Sequence, residues 1–212
     1  TNFRFGRRFS SIKNEYVIDM KHQIIINENF LSKKECNHLL KFSIDNPKLY
    51  ETQCRETDLF WDKRTIPCFG SHLPIDLQAL SWKYLKKVET EIEKVSEYSS
   101  VFCDNLNFVK WWSGYEQPPH ADGETTDGSN HPFPWRKFGC VYYLNDDYDG
   151  GEIWFPNFDI SVKPKPNTMI FFPGDTLHLH GVREVTHGTR HTIASFWGYD
   201  ETRKLPVYDT RE

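Results

Sequence analysis

The 212 residues are 38% hydrophobic and 16% aromatic, with 16 Phe, 10 Tyr and 7 Trp. That is enough for one buried core carried largely by rings, and it excludes a disordered chain. Lys and Arg number 26 against 30 Asp and Glu, a formal charge of −4; no broad basic field exists to attract a phosphate backbone, so nucleic acid is not an expected partner.

No apolar run is long enough to span a bilayer and no apolar h-region opens the chain, which predicts a soluble cytoplasmic protein with no membrane partner. Five cysteines without CxxC spacing argue against a disulfide framework or a structural zinc site and fit a reducing compartment.

In chain order, 22–27 reads as a strand. Ser32 and Glu35 form a capping box, with Leu31 and Cys36 at the positions of a hydrophobic staple, predicting a helix over 33–42. Leu77, Leu80, Tyr84, Leu85, Val88, Ile92 and Val95 recur at a helical period and predict a second helix over 76–96. From about residue 105 short strands take over, at 105–112, 136–144, 152–155, 168–172, 177–185 and 189–197. Turns are expected at 146–151, 163–167, 173–176 and 186–188, with Gly150 and Gly151 supplying unusual backbone angles and Gly174 a similar turn. Two irregular stretches, 51–74 and 123–137, are the natural places for substrate contacts.

The expected architecture is mostly β with N-terminal helices: a jelly-roll barrel braced by two or more α-helices. We read 1–212 as a single domain, with 1–104 as support and 105–200 as the barrel.

His120 and Asp122 alternate with Ala121, so in extended chain both side chains share a face and can chelate one ion. His180, on a later strand, supplies a third donor. Two imidazoles and a carboxylate form the ligand set of a mononuclear non-haem iron(II) site with open positions. Arg190, ten residues after His180, offers a bidentate fork for a dicarboxylate beside the metal. Thr192 shares its strand face and can add a hydroxyl.

The blocks WWSGYEQPPHADG, VYYLNDDYDGGEIWFP and IFFPGDTLHLHGVREVTHGTRHTIASFW, running from Phe108 to Trp197, resemble the iron(II)- and 2-oxoglutarate-dependent dioxygenases, in particular their prolyl 4-hydroxylase-like branch. The resemblance implies a double-stranded β-helix. It implies Fe(II) held by His120, Asp122 and His180, and 2-oxoglutarate and O2 as co-substrates, with ascorbate a further possible requirement. It places the distal carboxylate of 2-oxoglutarate on Arg190 and on the Tyr143 hydroxyl, and puts Trp111 where many relatives carry tyrosine. The implied reaction is hydroxylation of an unactivated C–H bond with release of succinate and CO2, most naturally on a prolyl residue of a peptide or protein. A free amino acid, a small metabolite or a nucleobase are alternative substrates for the same chemistry.

Duller readings compete. His178 is predicted on the same strand face as His180 and rivals it as ligand; with Glu184 it imitates part of a cupin site, although only 28 residues follow Glu184. His187 and His191 are expected at the surface. Tyr143 could be a core ring, and a barrel that binds peptide without catalysis is a third reading.

Overall fold

The computed structural model describes residues 15–19, 23–52, 60–96 and 100–210. The chain runs through strands β1 (Glu15–Asp19) and β2 (Ile24–Asn27), helices α1 (Lys33–Asp45) and α2 (Pro47–Glu51), strand β3 (Thr65–Pro67), helix α3 (Ile75–Glu93) and strand β4 (Phe102–Trp112). Short strands follow: β5 (Gln117–His120), β6 (Phe138–Tyr143), β7 (Asp149–Gly150), β8 (Ile153–Phe155), β9 (Ile160–Val162), β10 (Thr168–Pro173), β11 (His180–Val182), β12 (Val185–His187) and β13 (Thr189–Gly198). Cys54 lies outside the described residues; Cys36, Cys68, Cys103 and Cys140 are free and buried.

The capping box at α1 forms as predicted: the Glu35 amide donates to Ser32 Oγ (3.3 Å) and the Ser32 amide to Glu35 Oε2 (2.9 Å). The helix outruns its predicted end because no breaker intervenes before Pro47, whose ring disfavours helical geometry at Asn46.

A seven-stranded antiparallel sheet, ordered β1-β2-β10-β6-β13-β4-β3, faces a four-stranded one, β5-β11-β8-β9, and β12-β7 forms a small third pair. Period-two alternation decides what each face of the large sheet meets. Tyr142, Met169, Phe171, Ile193 and Trp197 point to the helices, where they pack with Leu39 and Phe42 of α1 and Tyr84, Leu85, Val88 and Ile92 of α3. The intervening Tyr143, Ile170 and Phe172 point inward and meet Ile153 and Phe155 of the smaller sheet. The result is a double-stranded β-helix buttressed on one side by helices.

Two expectations need correction. The strand predicted over 177–185 is three pieces: a 3-10 turn at Thr176–His178, then β11, then β12. Asp175 causes the break, because its side chain accepts from the His178 amide (3.0 Å) and caps the turn. Gly150 and Gly151 do take left-handed angles, φ +70° and +68°, whereas Gly174 does not. Gly174 instead allows close approach, since a Cβ there would stand 3.2 Å from the Arg136 carbonyl oxygen and 3.3 Å from Asp122 Cβ.

Candidate active site

β5 and β11 pair antiparallel with His180 directly opposite His120, which brings the two imidazoles together from positions sixty residues apart in sequence. Their ring centroids are 4.4 Å apart. Asp122 follows the end of β5 in a bend. Its position is braced from behind by backbone: the Gly123 amide donates to the Gly174 carbonyl (2.9 Å) and the Gly174 amide to the Lys137 carbonyl (2.8 Å). Gly139 of β6 makes room for the carboxylate, because a Cβ there would fall 2.2 Å from Asp122 Oδ2.

Both histidines have their tautomer fixed. Nδ1 of His180 faces the His178 carbonyl (3.1 Å) and Nδ1 of His120 faces the Pro118 carbonyl (3.0 Å). A carbonyl only accepts, so each Nδ1 carries a proton and each Nε2 is the atom left to face the cavity. Burial holds the His180 imidazole down at about 4, against the opposing pull of Asp122, so it is neutral at ordinary pH.

These nitrogens converge on the carboxylate. His120 Nε2 lies 3.6 Å from Asp122 Oδ1, and His180 Nε2 lies 3.7 Å from Asp122 Oδ2. Asp122 is 5% exposed and its Oδ2 is buried without a hydrogen-bond partner. At the buried His180–Asp122 contact a neutral imidazole lone pair faces an unpartnered carboxylate oxygen, and leaving the two so is costly. A cation removes the conflict: the three ligand atoms all lie within 4.8 Å of one another, and the mixed N/N/O set suits a first-row divalent metal. The residues therefore fit the iron(II) that the sequence resemblance implies. Gln117, whose amide donates to His120 Nε2 (3.1 Å), holds the lone pair that such a metal would use.

The same cavity is lined by Trp111, Arg190 and Thr192. Arg190 is 1% exposed, donates from Nη2 to the Tyr143 hydroxyl (3.0 Å) and leaves Nε without a partner. Burial raises the Tyr143 pKa against the pull of the guanidinium, so its proton is retained and free to be donated onward. Tyr148 lies near the same guanidinium with its hydroxyl pushed up to about 12 by burial against the pull of Arg190. A buried cation with an open donor and two neutral hydroxyls close by make a cradle for a carboxylate.

All six sequence-predicted residues thus come to one place, five on the cavity wall and Tyr143 through Arg190. His178 does not join them. It sits in the 3-10 turn with Nδ1 2.6 Å from Asp175 Oδ1 and its ring beside Phe158, and Glu184 is exposed, so the cupin-like set is not assembled. His191, expected at the surface, is buried on the helix side of β13, where Nδ1 meets Ser43 Oγ at 2.8 Å. Trp111 is a cavity wall in edge contact with Trp61 (5.8 Å). Sequence reasoning missed Gly139, Gln117 and Tyr148; for Gly139 the signal was a lone glycine inside a strand, a mark of close approach.

Residues 106–198 match the family model described as the 2OG-Fe(II) oxygenase superfamily. Prolyl 3-hydroxylase 2 from Mus musculus is 35% identical over 95 residues, which cover 39% of this chain and 14% of that protein. The chain therefore corresponds to a small part of such relatives. Among solved structures, the viral collagen prolyl hydroxylase of Paramecium Bursaria Chlorella virus-1 in its 2OG complex superposes with TM-score 0.61 at 17% identity, covering 84% of this chain and 96% of that one. A Trichoplax adhaerens prolyl hydroxylase in complex with a hypoxia inducible factor peptide fragment gives TM-score 0.66 at 16% identity, covering 86% of each chain. Residues 106–198 thus match the 2OG-Fe(II) oxygenase superfamily model, and the fold is the one found in solved prolyl hydroxylases.

Proposed function

We propose that this protein is an Fe(II)- and 2-oxoglutarate-dependent dioxygenase that hydroxylates a prolyl residue in a peptide or protein. The observation that carries the reading is the buried Asp122 carboxylate facing the Nε2 atoms of His120 and His180, with the guanidinium of Arg190 in the same cavity. Bound there, iron(II) with 2-oxoglutarate and O2 supplies the oxidising power that turns a C–H bond into C–OH, with succinate and CO2 released.

The chain's own residues have separable tasks. His120, Asp122 and His180 hold the metal, their two imidazoles oriented by backbone carbonyls. Arg190 pairs with the distal carboxylate of the keto acid, and the Tyr143 proton completes the pairing. Thr192, on the same face of β13, lines the same cavity. Trp111, Phe172 and Val182 line the cavity with apolar surface and keep water from the reacting atoms.

Anaerobic titration with iron(II) and 2-oxoglutarate should give a weak visible charge-transfer band. Succinate release should then depend on proline-containing peptides, compared with free amino acids and methylated oligonucleotides. No band and no substrate-dependent succinate would leave a barrel without this activity. Mass spectrometry of the peptide product reads which ring carbon is oxidised.

A further inference from the structure

A second cleft adjoins the metal cavity and shares Trp61, Val109, Ala194 and Phe196 with it. Its other lining residues include Asn105, Asn107, Phe133 and Arg136. Asn105 and Asn107 lie two apart on β4, on the face that also presents Val109 and Trp111 to the barrel. The Asn107 amide nitrogen donates to Asn105 Oδ1. That bond uses one donor and one acceptor, leaving Asn107 Oδ1 to accept and Asn105 Nδ2 to donate at the half-buried wall.

An acceptor and a donor side by side on an extended strand match the N–H and C=O of another extended chain. The aromatic walls, Trp61, Phe133 and Phe196, suit a ring or an apolar side chain. Among the described residues Arg136 is the one charged group lining the cleft, and its charge is already engaged: Nε donates to Asp104 Oδ2 (2.8 Å), and its carbon centre lies 4.0 Å from the ring centroids of both Phe133 and Phe196. The cleft therefore offers amide recognition and aromatic surface, with little net charge to attract an ionic group.

We propose that this cleft binds the residue flanking the one placed over the metal, Asn105 and Asn107 pairing with its peptide group and Trp61, Phe133 and Phe196 packing its side chain. The inference rests on the oxygenase reading and narrows its substrate to an extended peptide with an uncharged flanking residue, excluding a free amino acid. A free amino acid would fill the metal cavity alone and leave the amide pair and the aromatic walls unused. Polyproline-type chain is well matched, since it is already extended and its backbone groups are unpaired.

The test compares two probes on the purified full chain by ligand-observed NMR titration. One is an acetylated and amidated heptapeptide with a central proline and apolar flanks; the other is acetylproline amide. The wild type should bind the heptapeptide at least roughly tenfold more tightly. Asn107→Leu, which keeps the volume and loses the amide, should bring that ratio down to about threefold or less. Phe133→Ala should reduce it as well; Phe133 is 39% exposed, so its truncation leaves the core intact. Equal binding of the two probes by the wild type, or a ratio unchanged in both variants, overturns the proposal. Succinate release tests the parent reading separately. Cleft-dependent binding without succinate would sink the oxygenase and keep the cleft, and succinate without cleft dependence would do the reverse.

Discussion

The Asp122 carboxylate occupies the space that a side chain on Gly139 would need: a Cβ there would stand 2.2 Å from Oδ2 and 2.7 Å from Phe172 Cε2. Gly139→Ala must therefore push the carboxylate out of line with His120 and His180, or displace a ring packed in the barrel. The expected outcome is a loss of metal affinity of roughly 10–100-fold, the scale seen when support around a ligand fails. Competition with a metal-sensitive dye measures it.

Metal should stabilise the fold, because without it the buried Asp122 Oδ2 faces the neutral His180 Nε2 with no hydrogen between them. At a hundredfold excess over Kd the linkage is about 2.7 kcal/mol, which for a chain of this size is roughly 5–10 °C in Tm. Asp122→Asn removes the charge that creates the conflict. Its metal-free Tm should equal or exceed that of the wild type, and the metal-dependent rise should vanish. A rise of wild-type size in the variant would show that the carboxylate is not a ligand.

Arg190 and Tyr143 should separate in size of effect. Arg190→Gln removes the only cation lining the metal cavity among the described residues, and should raise the KM for 2-oxoglutarate by more than about tenfold. Tyr143→Phe removes one hydrogen bond, worth about 0.5–1.5 kcal/mol, so its KM should rise about 2- to 13-fold with kcat nearly kept. Steady-state succinate assays at varied 2-oxoglutarate check both.

His191 gives a pH dependence away from the metal. Burial lowers its pKa from 6.5 to about 4, with the carboxylate of Asp147 working against that shift and Lys110 reinforcing it. The folded state thus favours the neutral ring. The stabilisation is full above pH 6.5 and is lost as the pH falls toward 4, with an upper limit of about 3 kcal/mol. Urea unfolding at pH 7 and pH 5 should show the wild type losing more stability than His191→Gln. His180 titrates in both proteins, so the difference isolates His191.

Much of the fold was legible where local rules act alone. The α1 capping box, the period of α3 and the long alternating strands β4, β6, β10 and β13 declare themselves from neighbours in sequence. The short strands did not. β3 lies inside a stretch read as irregular, and exists because Thr65–Pro67 finds Val109–Asn107 of β4 beside it. The break at 176–179 depended on one side chain, Asp175, turning back to cap its own turn. At the site, His120, Asp122, His180 and Arg190 were readable because their chemistry is rare in that order. Gly139 and the Asn105–Asn107 pair were not, since their importance comes from what lies opposite them.

Arg190, 1% exposed, lines the same cavity as His120, whose side chain is one-third exposed, and the cleft of Asn105 and Asn107 adjoins that cavity. A keto acid anchored on that guanidinium has to arrive before anything covers the cavity's opening. Loading should therefore be sequential, with the acid first and the polypeptide second, and a non-reactive peptide should inhibit uncompetitively with respect to 2-oxoglutarate.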